Sequence, residues 1–328
     1  MHRGLFVRSL VAGFGLALVS GVVGAQGFPS KPVRIIVPFA AGGANDLNAR
    51  SLQGPLGKAL GGTVVVENMP GGSTKIALDH LMRSAPDGHT LILVGAGPLM
   101  GYHYSGTYET KVWEQLTLLG RTGSMPWVVI EARADAPYKT WAELVEYAKK
   151  NPAKLSAGGP AVGGIMELTA VETAKNAGID VVYVPFAGGG PSGLALLGGH
   201  VAYRVAQASE VYPNVRIGKT RALGVGSPVR MPELPDVPTL KELGILFDIP
   251  PFGFDLWGPA GMPPAIAQQI SAALEKAVKD PGYVEISRKF VYDPVFTSPA
   301  ALKDSIRYFD TEIGPRLVAA FPPQPAKK

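Results

Sequence analysis

The chain contains no cysteine and little charge: Asp, Glu, Lys and Arg together make up 17% of its 328 residues. Without a thiol there is no disulfide, no thiolate metal site, no cysteine nucleophile and no anchor through a lipidated cysteine, so stability has to come from packing. Metal-ligand spacing is missing as well. The five histidines (His2, His80, His89, His103, His200) form no H-E-x-x-H pattern, and no G-x-S-x-G elbow occurs. The formal charge is only +5, and no basic run interleaves with aromatics, which disfavours a nucleic-acid partner. Asp46, Asp87 and Asp255 are the acids most open to a catalytic reading, and cap or turn roles account for them more simply. No metal, cofactor or catalytic group is therefore expected.

What is present begins with an export pattern. Arg3 and Arg8 give a positive start, Leu10 to Val23 form a short glycine-broken apolar run, and Val23-Gly24-Ala25 supplies small residues. Residues 1–25 read as a signal peptide cleaved near Ala25, with a periplasmic mature chain starting at Gln26. Removing Arg3 and Arg8 from the 31 basic residues leaves 29 against 26 acidic ones, a charge of +3. No later apolar segment approaches membrane-spanning length.

The mature part reads as α/β. Val33 to Val37 (VRIIV) is a continuous β-branched run, as in a strand covered on both faces. A helix follows, with Asn45 or Asp46 able to cap it and Leu47, Leu52, Leu56 and Leu60 on its apolar side. Further strands are expected at 63–66, 90–94, 126–131, 181–184, 201–206, 221–225 and 252–257. Helices are expected at 76–83, 140–150 (with a Thr140 cap), 264–278 and 299–312. Strands alternating with helices imply mostly parallel sheets flanked by helices. The length suits two lobes, and the proline-rich tail 321–328 reads as disordered.

One stretch recurs. Val37 to Gly43 is VPFAAGG and Val184 to Gly190 is VPFAGGG. This is read as one element in each of two α/β units. Four glycine turns follow strands: Ala41-Gly42-Gly43, Gly71-Gly72-Ser73, Ala157-Gly158-Gly159 and Gly188-Gly189-Gly190. A helix starting after such a turn directs unsatisfied N–H groups, and about half a positive charge, at whatever lies in front of it. Glycine lets a ligand approach the backbone closely, so such turns can hold a carboxylate without Lys or Arg.

The wording of several segments resembles the solute-binding receptors of tripartite tricarboxylate transporters, the Bug (TctC) family. The likeness runs through Pro29-Ser30-Lys31-Pro32-Val33-Arg34, VPFAAGG with Asp46, Val64 to Gly71, Ala85-Pro86-Asp87-Gly88-His89-Thr90-Leu91 and Val184-Pro185-Phe186. It continues in Leu197 to Val201, Gly218 to Leu223, Leu234 to Thr239 and Gly258-Pro259-Ala260-Gly261. The resemblance implies a two-lobed, Venus-flytrap binding protein without enzymatic activity, monomeric, capturing a small organic acid. Its membrane partners would be transporter subunits or a sensor kinase. The first lobe would comprise 28–127 and 251–328, the second 128–250, with crossing strands near Pro126 to Glu131 and Phe252 to Trp257. Phe39, Ala40, Gly42, Gly43, Ala44 and Asp46 would line the first-lobe carboxylate loop, joined by Gly72, Ser73 and Gly97. Gly158, Gly163, Gly164, Phe186, Gly188 and Arg204 would face them from the second lobe.

Departures from the family pattern bear on the ligand. The second-lobe loop that usually carries Ser/Thr and His reads Gly163-Gly164-Ile165-Met166-Glu167, and the loop after Asn68 runs Gly71-Gly72-Ser73-Thr74-Lys75. The strand commonly written V-D-L-M-F-D is Val201-Ala202-Tyr203-Arg204-Val205-Ala206, without either acid. An apolar second-lobe end follows, and with it an acid bearing one carboxylate and a bulky or aromatic remainder. Arg204 either faces that ligand or pairs with a local acid such as Glu210. A sensor with the same pocket, or an exported enzyme, are the competing readings.

Overall fold

A computed structural model describes residues 27–320 other than 105–107, 109, 152–154, 161, 163 and 246–251; the side chains of Ser73 and Tyr102 are not described. Gly163, the leader and the tail from 321 thus lie outside the described residues. Strand β1 (Val33–Val37) leads into helix α1 (Ala44–Leu60), and β2 (Val64–Asn68) into α2 (Lys75–Met82). β3 (Thr90–Leu93) leads into α3 (Ala96–Tyr104), then the short α4 (Val112–Gln115) and β4 (Thr117–Met125). The chain next builds β5 (Val128–Arg133), α5 (Trp141–Lys150), β6 (Ser156–Pro160), α6 (Ile165–Ala177), β7 (Val182–Phe186) and α7 (Gly189–Leu197). β8 (Tyr203–Gln207), α8 (Ala208–Arg216) and β9 (Thr220–Gly226) follow. It returns through β10 (Phe252–Gly258), α9 (Pro264–Ala277), α10 (Pro281–Lys289), α11 (Pro299–Tyr308), a π-helical turn (Phe309–Ile313) and α12 (Gly314–Ala320).

These strands form two five-stranded sheets, ordered β2-β1-β3-β10-β4 and β7-β6-β8-β5-β9. In each, four strands point the same way, and the strand fourth in order is antiparallel to both its neighbours. That antiparallel strand is β5 in one sheet and β10 in the other, so each sheet receives the chain as it arrives from its counterpart. The sheets are therefore mixed, and the two lobes share one topology. The segments 128–133 and 252–258 each lie wholly within one sheet, and Pro126-Trp127 carries the chain across.

The repeat, however, is not a pair of equivalent elements. β1 stands second in its sheet, whereas β7 is the edge strand of the other; the counterpart of β1 is β6. Burial follows position. Ile35, Ile36 and Val37 have no exposed surface, while Val182 in β7 is 65% exposed.

Local signals set most boundaries. Thr140 caps α5, its hydroxyl accepting the Glu143 N–H at 3.2 Å while Glu143 reaches back to the Lys139 N–H. α1 ends at Gly61, whose φ of +70° closes the helix as Gly62 N–H bonds the Gly57 carbonyl at 3.0 Å. The helix start differs from expectation: Gly43 is the N-cap and makes no side-chain cap bond. β4 carries no strand signal, because TLLGRTGSM is glycine-broken with Gly120 at φ +138°. Pairing with β10 makes it a strand.

Two buried ion pairs tie the antiparallel strands to their neighbours. In the first sheet Arg121 of β4 donates to both oxygens of Asp255 on β10, at 2.7 and 3.2 Å. Asp255 also accepts the Ala96 N–H that opens α3, at 3.1 Å, so it is neither a turn residue nor a free acid. Beneath α1, Asn48 donates to the Tyr283 hydroxyl at 2.7 Å and accepts from Thr122 at 2.9 Å. Replacing Arg121 by Met would strand a buried carboxylate. Urea unfolding of Arg121→Met should show a loss of about 3–5 kcal/mol, against under about 0.5 kcal/mol for the exposed pair variant Lys279→Met.

Candidate functional site

The loop after β1 is built around one acid. Asp46 sits in the first turn of α1 and accepts the Gly42 N–H at 2.9 Å, Arg50 Nε at 2.9 Å and Asn68 Nδ2 at 2.9 Å. Asn68 also donates to the Phe39 carbonyl at 3.1 Å, tying β2 to the same loop. Burial pushes the Asp46 carboxyl up, but the bonds from Arg50, Gly42 and Asn68 outweigh it and hold its pKa below the ordinary 3.8. Asp46 is thus spent on shaping the loop.

The two glycine-rich loops meet each other. Ala40 N–H donates to the Ala187 carbonyl at 2.9 Å across the cleft. Gly188, at φ +142°, lies so close that a Cβ there would stand 3.3 Å from Ala40 N and from Phe39 Cβ. A Cβ at Gly190 would stand 3.2 Å from the Ala41 carbonyl. Gly188, Gly190 and Gly193 have G-x-G-x-x-G spacing, but the loop they form is pressed on the first lobe with no gap for a pyrophosphate. The near-identical sequences are therefore two surfaces of one contact.

Beside this contact lies a cavity of about 60 Å³, several times the space one water needs. Five helix starts bound it: Gly43, Ala44 and Asn45 of α1; Gly97 and Pro98 of α3; Gly164, Ile165 and Met166 of α6; Gly189 of α7; and Gln207 before α8. Each contributes positive potential through its helix dipole, although the first amides of α1 and α3 are already bonded to Glu210 and Asp255. α6 starts at the N-cap Gly164 without a side-chain cap bond. Phe39, Met125, Phe252 and Phe309 supply apolar wall, and among the described residues no Lys, Arg or His lines it. The charged group at the wall is Glu210, from the first turn of α8. Its Oε1 accepts the Ala44 N–H at 3.0 Å, across the lobes. Burial pushes the Glu210 carboxyl above its ordinary range, against the pull of Arg204 and of the Ala44 and Gln207 amides.

Of the residues singled out from the sequence, Phe39, Gly43, Ala44, Gly97 and Gly164 line this cavity. Gly72 and Phe186 line a separate opening between the lobes with Pro38, Thr74 and Pro185. Ala40, Gly42, Asp46 and Gly188 shape the contact beside it. Gly158 lies within β6, where a Cβ would meet Val201 at 3.1 Å and Phe186 at 3.3 Å, so its smallness serves packing. Arg204 does not reach the cavity. It is 1% exposed, bonded through Nε to Glu131, and through Nη1 and Nη2 to the Gly189 and Glu210 carbonyls at 2.9 and 3.1 Å. Its acid partner is Glu131 on the adjacent strand β5, and Glu210 meets it only through the backbone. Asn45, Gln207 and Glu210 escaped the sequence reading. A polar residue at a helix start looks like an ordinary cap from sequence, and Glu210 presents itself there only as a partner for Arg204.

Two sheets of one topology share a cavity bounded by helix starts, and sequence comparison names the family. A family model, the tripartite tricarboxylate transporter family receptor, matches residues 48–308. The chain belongs to this TctC receptor family. Among its relatives is a UPF0065 protein in the gbd 5' region of Cupriavidus necator, 36% identical over 296 residues and 88% of each chain. BugT of Bordetella pertussis is 30% identical over 283 residues, 86% of each. Similar solved structures include the periplasmic binding protein BugD, at TM-score 0.81 and 29% identity over 89% of this chain and 98% of that one. MatC from Rhodopseudomonas palustris, with bound malate, superposes at TM-score 0.80 and 27% identity over 88% and 100%. No helix among the described residues of this TctC receptor is long and apolar enough to cross a membrane.

Two outcomes follow for the receptor. A methyl group at Gly189 would overlap the Glu210 carboxylate, so Gly189→Ala should push it off Ala44 and hold the lobes apart. Scattering should report a larger radius of gyration in saturating acid, and calorimetry an affinity loss of about tenfold, ~1.4 kcal/mol. The second outcome concerns acid. Because the folded pKa of Asp46 is depressed, its contribution is complete at neutral pH and is lost as pH falls through 3.8 and below. Between pH 6 and 3, Asp46→Asn should therefore lose less stability than the parent chain in denaturant titrations.

Proposed function

We propose that this TctC-family chain is a periplasmic receptor that captures a small organic carboxylate between its lobes and hands it to the membrane subunits of a tripartite tricarboxylate-type transporter. Capture and release are the whole chemistry, and no bond is broken. The observation that carries the reading is the convergence of five helix starts on one cavity walled by both lobes. Fixed N–H groups and helix dipoles attract an anion there without Lys or Arg. The start of α6, which has no side-chain cap, supports the second lobe's share of that anion site. The malate bound by MatC, a protein of the same fold at 27% identity, supports an organic acid as the class.

The apolar walls support a hydrocarbon remainder. Phe39, Phe252 and Phe309 approach from the first lobe, and Ile165 with Met166 from the second. A ligand held by both walls favours the closed arrangement, so hinge closure is the signal that membrane partners would read.

A thermal-shift panel on residues 26–328 tests this, using malate, succinate and benzoate, each beside its neutral amide. At a hundred times its Kd, a ligand adds about 2.7 kcal/mol, which raises the melting temperature of a chain this size by roughly 5 °C. A shift with an acid and none with its amide is expected. Equal shifts for both, or none with any acid, would overturn the reading.

A further inference from the structure

Resting on that carboxylate-receptor reading, we propose that Glu210 is the specificity-determining residue of the cleft. Its carboxylate fills the anion position at the start of α1 and selects, on its other oxygen, for a ligand end that is an ammonium or another N–H donor. The ligand class is then an acid whose far end is a donor, and a matched dicarboxylate is disfavoured.

The argument begins with what Glu210 occupies. α1 is 17 residues long and its N-cap Gly43 offers no side-chain cap, so its first amides seek an acceptor. The second lobe supplies one: Glu210 Oε1 on the Ala44 N–H, at 3.0 Å. In the closed molecule a ligand carboxylate can reach that amide only by displacing the protein's own. The space for Glu210 is made by sequence, since a Cβ on Gly189 would overlap its carboxylate.

Charge comes next. Arg204 is the basic side chain near Glu210, but its charge is already balanced. It is paired with Glu131, which is fully buried, and it meets Glu210 through the Glu210 backbone carbonyl. Glu131 and Tyr183, also nearby, bring no positive charge. Glu210 therefore faces the cavity with no counterion bonded to its carboxylate, which only the nearby Arg204 charge and the amides of Ala44 and Gln207 favour against burial. Two like carboxylates sharing one small cavity repel strongly when partly desolvated.

Hydrogen bonding points the same way. Glu210 Oε2 is buried without a partner, and so are Asn45 Oδ1 and Gln207 Oε1 on the same cavity wall. A buried acceptor left unpaired costs about 1–3 kcal/mol, so a ligand end that donates relieves what a ligand end that only accepts would worsen. Asn45 and Gln207 can rotate their amides to offer NH₂ instead. An ionised Glu210 has no such choice, which makes it the discriminating group.

The test uses matched pairs on the mature chain, with calorimetry at pH 7. Succinate and 4-aminobutanoate have four carbons each, and adipate and 6-aminohexanoate six; within a pair one carboxylate is exchanged for an ammonium. In the parent chain the amino acid of at least one pair should bind tenfold or more tighter than its diacid. Glu210→Gln keeps a carbonyl oxygen for Ala44 and removes the charge, so the preference should shrink by tenfold or more, with the diacid gaining. Glu210→Asp, which keeps the charge but withdraws it by one carbon, should retain the sign of the preference. Melting curves confirm that both variants fold.

Equal preference in the parent chain and Glu210→Gln would overturn the proposal while leaving the carboxylate receptor intact. A parent chain that prefers the diacid, more strongly at pH 5 than at pH 7, would overturn it too, showing a protonated Glu210 that donates to the ligand. Failure of every acid to bind parent and variants alike, including benzoate and malate, would instead remove the receptor reading beneath it.

Discussion

A carboxylate placed on the first amides of a helix is the contact around which this cleft is arranged. α1 begins without a capping side chain, so its amides carry uncompensated positive potential. Glu210 meets them from the other lobe, beside the backbone bond from Ala40 to Ala187. These bonds run between elements of the two sheets that are distant in the chain, so they hold the two lobes against each other. They also decide which amides a ligand can use, because an amide has one hydrogen to give. The Ala44 amide that opens α1 is already taken by Glu210.

The scaffold that brings these groups together is one topology used twice. In each sheet the antiparallel strand is the one that has just arrived from the other lobe, and each such strand is secured by a buried Arg–carboxylate pair. Arg121 with Asp255 serves the first sheet and Glu131 with Arg204 the second. Burial raises the pKa of Asp255 and of Glu131 despite the adjacent guanidinium. Such pairs add little net stability over apolar packing, yet are costly to break singly. Their evident effect is positional. Asp255 fixes the start of α3, and Arg204 fixes the carbonyls that begin α7 and the first turn of α8. Both therefore set the cavity wall from one layer beneath it.

Much of the fold was legible because its signals are local. VRIIV has the continuous β-branched character of a doubly covered strand, Thr140 and Glu143 make a cap three residues apart, and Gly61 ends α1 with a positive φ. The first-lobe loop was legible for the same reason, since Phe39, Gly43 and Ala44 follow a strand and open a helix. β4 was not, because its residues are glycine-broken and only a partner strand more than 120 residues away makes them pair. Glu210 was not, because its importance lies in facing Ala44, 166 positions earlier.

The sequence by itself determined a two-lobed α/β receptor, the family, and the glycine turns that open helices toward a ligand, because these depend on residues near one another in the chain. Only the tertiary structure decided that the VPFA repeats are two sides of one contact rather than equivalent elements, since strand order within a sheet is not written in any strand. It likewise decided that Arg204 is held by Glu131 within its own sheet and that the acid in the cleft is Glu210. Which charge pairs with which is fixed by distance and desolvation after folding, and a chain of letters carries neither.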